Sequence, residues 1–186
     1  MRFLSLFLVL AATLPAASIA LSPAALSGPA GQTVGWGYTM QGDPLYHMVI
    51  TSVQSDFPDF PGGLGGDAPA VTDIASGYFL ANSLAIAPGG DFTQAFGPGT
   101  GLASYLIRPD APDFAQEFGN LYIYYDLYDG DPNNGGSQVF PLDDPLFVTA
   151  AAQVDVEPVP EPSTWLLCGV ALAMSSRRHA SRRQAP

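Results

Sequence analysis

The chain has 186 residues, 47% of them apolar and only 12% charged, with 20 glycines and 18 prolines; that leaves room for one domain plus signals and suits a loop-rich all-β module. The net charge of −11 is uneven: residues 21–160 hold sixteen acids against Arg108 alone, a charge of −15, while both termini are basic. So acidic a middle section repels nucleic acid and anionic lipid, and it excludes nucleic acid as a partner.

Met1 and Arg2 form a minimal basic start, followed by an apolar run from Phe3 to Leu14 that breaks at Pro15. Ser18 and Ala20 are small residues at the positions that signal peptidase reads, so residues 1–20 are expected to be a signal helix cleaved after Ala20. The implied partners are signal peptidase and the export machinery. Cys168, the one cysteine, lies near the C-terminus. The exported domain, residues 21–156, therefore has no disulfide to lean on.

Thr33 to Met40 alternates, with Val34, Trp36, Tyr38 and Met40 on one face and Gly35, Gly37 and Thr39 on the other. This is strand patterning, and the glycines leave room for a ring or a backbone to approach. Leu45 to Val53 reads as a second, central strand, joined to the first by a hairpin connection at Asp43-Pro44. Ser55 to Pro69, with three prolines and four glycines, reads as a long loop among the less ordered parts of the domain. Tyr78 to Ile86 is ambiguous, with room for a strand at each end. Asp91 to Phe96 and Leu102 to Ile107 read as short strands around Gly97-Pro98-Gly99. Asn120 to Asp129 is the clearest strand, with Leu121, Ile123, Tyr125 and Leu127 facing in and Tyr122, Tyr124, Asp126 and Tyr128 facing out. Phe147 to Val156 closes the set. Seven to nine short strands without a βαβ signal predict an antiparallel β-sandwich, immunoglobulin-like by preference and jelly roll as the rival. Trp36, Val49, Ile123 and Tyr125 are expected inside it.

Three groups of side chains invite a chemical reading. His47, the one histidine of the exported domain, has no marked nucleophile beside it and reads as a hydrogen-bonded residue at a sheet edge. Asp126, Asp129, Asp131 and Asn133 place oxygen atoms at close intervals, as a calcium site does, with Asp143 and Asp144 available to help. The helix-loop-helix version fails, because Asn134 and Phe140 stand where glycine and glutamate are needed. The plain alternative is a polar turn between strands. Tyr122, Tyr124 and Tyr128 share one strand face and form a candidate platform for sugar rings, unless they are simply a second core face.

The C-terminal stretch, residues 157–186, contains three pieces in order. Val159-Pro160-Glu161-Pro162 is a stiff, extended motif, since each proline fixes its own φ and pushes the preceding residue towards extended geometry. Ser163 or Thr164 can cap the apolar segment that follows, which reaches Met174. As a helix that segment is about 16 Å long, short of a hydrocarbon core of roughly 30 Å, so it suits a temporary transmembrane hold. Arg177, Arg178, Arg182 and Arg183 then keep the C-terminus on the cytoplasmic side. From Val159 to about Arg183 the sequence resembles the PEP-CTERM sorting signal of exported Gram-negative bacterial proteins. The resemblance implies recognition by an exosortase-type transpeptidase, transient retention in the inner membrane, and delivery to the cell surface or extracellular matrix, alongside exopolysaccharide. The expected function is a non-enzymatic exported surface or matrix protein. The alternatives are a carbohydrate- or calcium-binding sandwich and, after those, a secreted hydrolase built on a carboxylate pair.

Overall fold

The computed structural model describes residues 17–59, 61–67, 69–139 and 145–159. These build nine strands: β1 (Ser18–Ser22), β2 (Ala25–Pro29), β3 (Thr33–Gln41), β4 (His47–Ser55), β5 (Val71–Asp73), β6 (Asp91–Gln94), β7 (Ala103–Leu106), β8 (Gln116–Tyr128) and β9 (Leu146–Glu157). One short helix, α1 (Ala75–Ala81), and a 3-10 turn at Pro132–Asn134 complete the set. One sheet runs β1-β3-β7-β5, with β6 also paired to β3, and the other runs β2-β9-β8-β4. All pairings are antiparallel except β2 with β9. The result is the expected all-β sandwich, with the strand order of the immunoglobulin type.

The strongest alternations became the best-formed strands. In β3, Trp36, Tyr38 and Met40 are almost wholly buried. Gly35 is roofed by the ring of Phe96, whose nearest atom lies 2.1 Å from where a Cβ would stand. Leu121, Ile123 and Leu127 of β8 and Val154 and Val156 of β9 supply the facing side of the core. Tyr125 is half-buried and packs against it. Val49 is likewise half-buried and packs against the core, beside a cavity shared with Ser76, Gly77 and Leu80.

Several expectations change. Strand β4 is at the edge of its sheet, not central, and β3 and β4 belong to different sheets, so Asp43-Pro44 is a crossing between layers and not a hairpin. Asp43 Oδ1 accepts hydrogen bonds from the N–H groups of Leu45 and Tyr46, at 2.8 and 3.0 Å. That turn delays the strand until His47. The region Tyr78 to Ile86 contains the second half of α1, and only Ile86 forms a β-bridge, to Met48. That bridge and α1 shield the free edge of β4.

The loop from Asp56 to Pro69 is irregular, yet it is tied down. Phe57 is buried and packs on Trp36 and Tyr105, with ring centroids 5.9 and 5.6 Å apart. Glu117, the one buried charged side chain among the described residues, accepts hydrogen bonds from the Leu64 N–H at 2.8 Å and from the Tyr105 hydroxyl. Asp59 Oδ1 accepts from the N–H of Ala70 at 2.9 Å. Gly66 and Arg108 add backbone hydrogen bonds to Leu106 and Leu64. A buried carboxylate needs such donors to offset its desolvation, so Glu117 and the loop stabilise each other.

Candidate functional site

The outer face of the β2-β9-β8-β4 sheet displays every even-numbered residue of β8 from Phe118 to Tyr128. Register sets Tyr122 opposite Thr149, Tyr124 opposite Phe147, Asn120 opposite Ala151 and Phe118 opposite Gln153. Three rings cluster there. Phe147 meets Tyr124 at 5.4 Å and Tyr122 at 6.0 Å between centroids, tilted at 46° and 66°. Phe147 stays 50% exposed and Phe118, further along, 65% exposed. The two tyrosines are half-buried, so this is an open aromatic strip and not a second core face.

Asp56, at the end of β4, reaches over this strip. Its Oδ1 accepts from the Asn120 N–H at 2.5 Å, and its Oδ2 accepts from Asn120 Nδ2 at 2.8 Å and from the Tyr122 hydroxyl at 3.0 Å. The Asn120 side-chain amide, followed by its backbone N–H, holds the Asp56 carboxyl below the usual carboxylate range. The hydrogen bond that the Tyr122 hydroxyl donates to Asp56 raises the Tyr122 phenol. Asp56 thus stays ionised and fixes the outward edge of Tyr122.

Tyr128, expected in the same platform, is separated from it. It lies at the far end of β8 opposite His47 and lines a cavity of about 340 Å³ with Val49, Ile50, Thr51, Ser76, Gly77 and Leu80. Sequence reasoning found Tyr122 and Tyr124 by parity on one strand. It missed Phe147, Phe118 and Asp56. The alternation of β9 already put Phe147 on an outer face, but its place beside Tyr124 depends on register.

Of the residues expected to hold calcium, Asp129, Asp131 and Asn133 form a closed turn. Asp129 Oδ1 accepts from the Ser137 N–H at 2.7 Å. Asp131 caps the 3-10 turn, accepting from the Asn133 N–H at 2.9 Å and from Asn134 Nδ2 at 2.6 Å. Its carboxyl is lowered, chiefly by the Asn133 N–H. Asn133 Nδ2 also donates to the Ser83 carbonyl at 2.7 Å. Asp126 stands apart on the outer sheet face opposite Val49, its carboxyl raised by partial burial. Among the described residues, no three acidic, histidine or cysteine side chains gather into a metal-binding group. Asp143 and Asp144 lie outside the described residues.

A cavity of about 240 Å³ lies between the loop and β8, lined by Pro61, Gly62, Gly63, Leu64, Arg108, Pro112, Gln116 and Glu117. It holds one carboxylate, that of Glu117, which accepts from the Tyr105 hydroxyl and the Leu64 N–H.

Ala20 lies within β1, with its backbone opposite Thr39. The expected cleavage after it would leave Leu21 and Ser22 to pair with Tyr38 and Gly37. At the other end Val159 is half-exposed beyond β9. The remainder of the expected sorting motif (Pro160, Glu161 and Pro162), the apolar segment, and Arg177, Arg178, Arg182 and Arg183 lie outside the described residues, as do residues 1–16 of the expected signal helix. Among the described residues no helix is long and apolar enough to cross a membrane. A scan against protein-family models and a search of curated proteins returned no match to the chain.

Proposed function

We propose that the chain is an exported, non-enzymatic surface or matrix protein, sorted through its C-terminal signal, whose sandwich serves as a carbohydrate-binding module. The sorting half of this reading rests on the sequence: Pro-Glu-Pro, a short apolar segment and arginines follow the last strand in the order of a PEP-CTERM signal. One observation carries the binding half, the outer-face cluster of half-buried Tyr122 and Tyr124 with exposed Phe147, and Asp56 and Asn120 at its edge. Aromatic faces beside fixed hydrogen-bonding groups suit sugar rings, which present apolar C–H faces and polar rims.

Mass spectrometry of the surface fraction from the native host checks the sorting half. The mature protein should lack residues before about Leu21 and also the tail from Arg177 to Pro186. Recovery of the intact C-terminus refutes processing by an exosortase-type transpeptidase. Pro160→Ala with Pro162→Ala should hold the protein in the inner membrane. For the binding half, retention on immobilised oligosaccharides should fall at least about tenfold in Tyr124→Ala, equivalent to roughly 1.4 kcal/mol.

A further inference from the structure

The aromatic strip is long and lies on a sheet face rich in acids, with His47 at its far end. From Phe118 to Tyr124 it spans six residue steps along β8, about 20 Å at roughly 3.4 Å per residue. Between its ringed ends the neighbouring strand presents only Thr149 and Ala151, both exposed, which leaves a low floor. At the Phe118 end the surface dips into a cavity of about 170 Å³, lined also by Ala24, Ala25, Ala151, Ala152 and Gln153. A strip of that length fits a linear polymer lying along the strand. A globular partner needs a broader footprint, roughly 800 Å² a side.

The charges choose among linear polymers. Asp56, Asp126, Asp155 and Glu157 all belong to this sheet or its rim, and no lysine or arginine does. Arg108, the one arginine among the described residues, is at the loop cavity, near Asp110 at 3.4 Å. An anionic glycan is repelled from such a face, and a neutral one gains nothing from it. Asp56 is placed to do more than repel. Three donors orient its carboxylate, yet Oδ1 receives only one of them and keeps acceptor capacity towards solvent. The tyrosine and phenylalanine faces beside it also attract cations.

We propose that this face binds a linear glycan whose sugars carry free, protonated amines, with Tyr122, Tyr124 and Phe147 stacking on the sugar rings and Asp56 receiving an ammonium group. The inference rests on the carbohydrate-binding reading of the same face and names its ligand class.

The test is calorimetric titration of the full chain at mildly acid pH with three probes. These are a six-sugar β-1,4-glucosamine oligomer, its fully N-acetylated counterpart, and polylysine of matched charge. The glucosamine oligomer should bind about tenfold tighter than the acetylated one. Asp56→Asn should abolish most of that preference, with the loss falling mainly on the glucosamine oligomer, because it removes the charge that the ammonium group meets. Tyr124→Ala with Phe147→Ser should weaken both oligomers by about tenfold or more at unchanged net charge. If that ring variant fails to fold, Asp56→Asn still decides the question through the preference alone. Equal affinity for the two oligomers overturns the amino-sugar assignment and leaves the carbohydrate reading standing. No binding to either overturns both. Polylysine binding as tightly as the glucosamine oligomer, or a ring variant that folds and binds undiminished, assigns the effect to the general acidic field and overturns the proposal. Self-association of the chain that the ring variant abolishes gives the face to a second copy, with the same consequence.

Discussion

Tyr38 and Tyr105 each place a hydroxyl inside the sandwich, and they differ in what that hydroxyl meets. Tyr105 donates to Glu117, whereas the Tyr38 hydroxyl has no protein partner. Burial raises both phenols well above their ordinary values, and Glu117 raises that of Tyr105 further. Removing an unpartnered buried hydroxyl is close to neutral, while removing one of a pair leaves the other polar group stranded. Tyr38→Phe should therefore change stability by less than about 1 kcal/mol, and Tyr105→Phe should cost about 1–3 kcal/mol in urea unfolding. Asp126 supplies a pH-dependent counterpart. Partial burial raises its carboxyl in the folded state, so folding penalises the ionised form. That penalty is complete above the folded-state pKa and disappears as pH falls below the unfolded-state value. Asp126→Asn should raise the melting temperature at neutral pH, and the gain should shrink as the pH is lowered through the carboxylate range.

Among the elements, the loop between β4 and β5 has the most consequence for its size. Gly119 in β8 lets the ring of Phe57 lie against the strand, with its nearest atom 2.7 Å from a Cβ position. Phe57 is buried and cannot swing away, so Gly119→Ala should cost about 1–3 kcal/mol through overpacking. It should also speed limited proteolysis between Asp59 and Gly66. In Phe57→Ala the further cost of Gly119→Ala should largely vanish, a coupling read from a double-mutant cycle. Little of this is visible in a row of prolines and glycines. The sequence advertises the loop's irregularity, but its anchors, Glu117 and Trp36, lie far along the chain in either direction. Strands β3, β8 and β9 were legible because alternation over nine or more residues is a strong local pattern. Strands β1 and β2 were not, since a five-residue strand beside an expected cleavage site carries no such pattern. Helix α1 has seven residues, too few to show a helical period. The site divides the same way. Tyr122 and Tyr124 share a strand, whereas Asp56 reaches Tyr122 across 66 positions of sequence.

At the scale of the molecule, acidity and architecture act together. Among the described residues Arg108 is the one arginine and there is no lysine. Several acids are engaged in hydrogen bonds: Asp43, Asp56, Asp59, Asp131 and Glu117 each accept from a backbone N–H. Backbone donors thus take a role that basic side chains have elsewhere, and they do so without neutralising the field outside. The β2-β9-β8-β4 sheet also has a mechanical consequence. Strand β9 lies between β2 and β8, pairing along five residues with one and ten with the other. Its exit at Glu157 leads directly into the C-terminal stretch. Because ladder hydrogen bonds run across the strands, a pull on that exit along the axis of β9 loads both ladders in shear, all bonds together, where a peeling force would break them one by one. A domain tethered at this end and gripped by a polymer across its sheet face would resist tension along its stiffest direction.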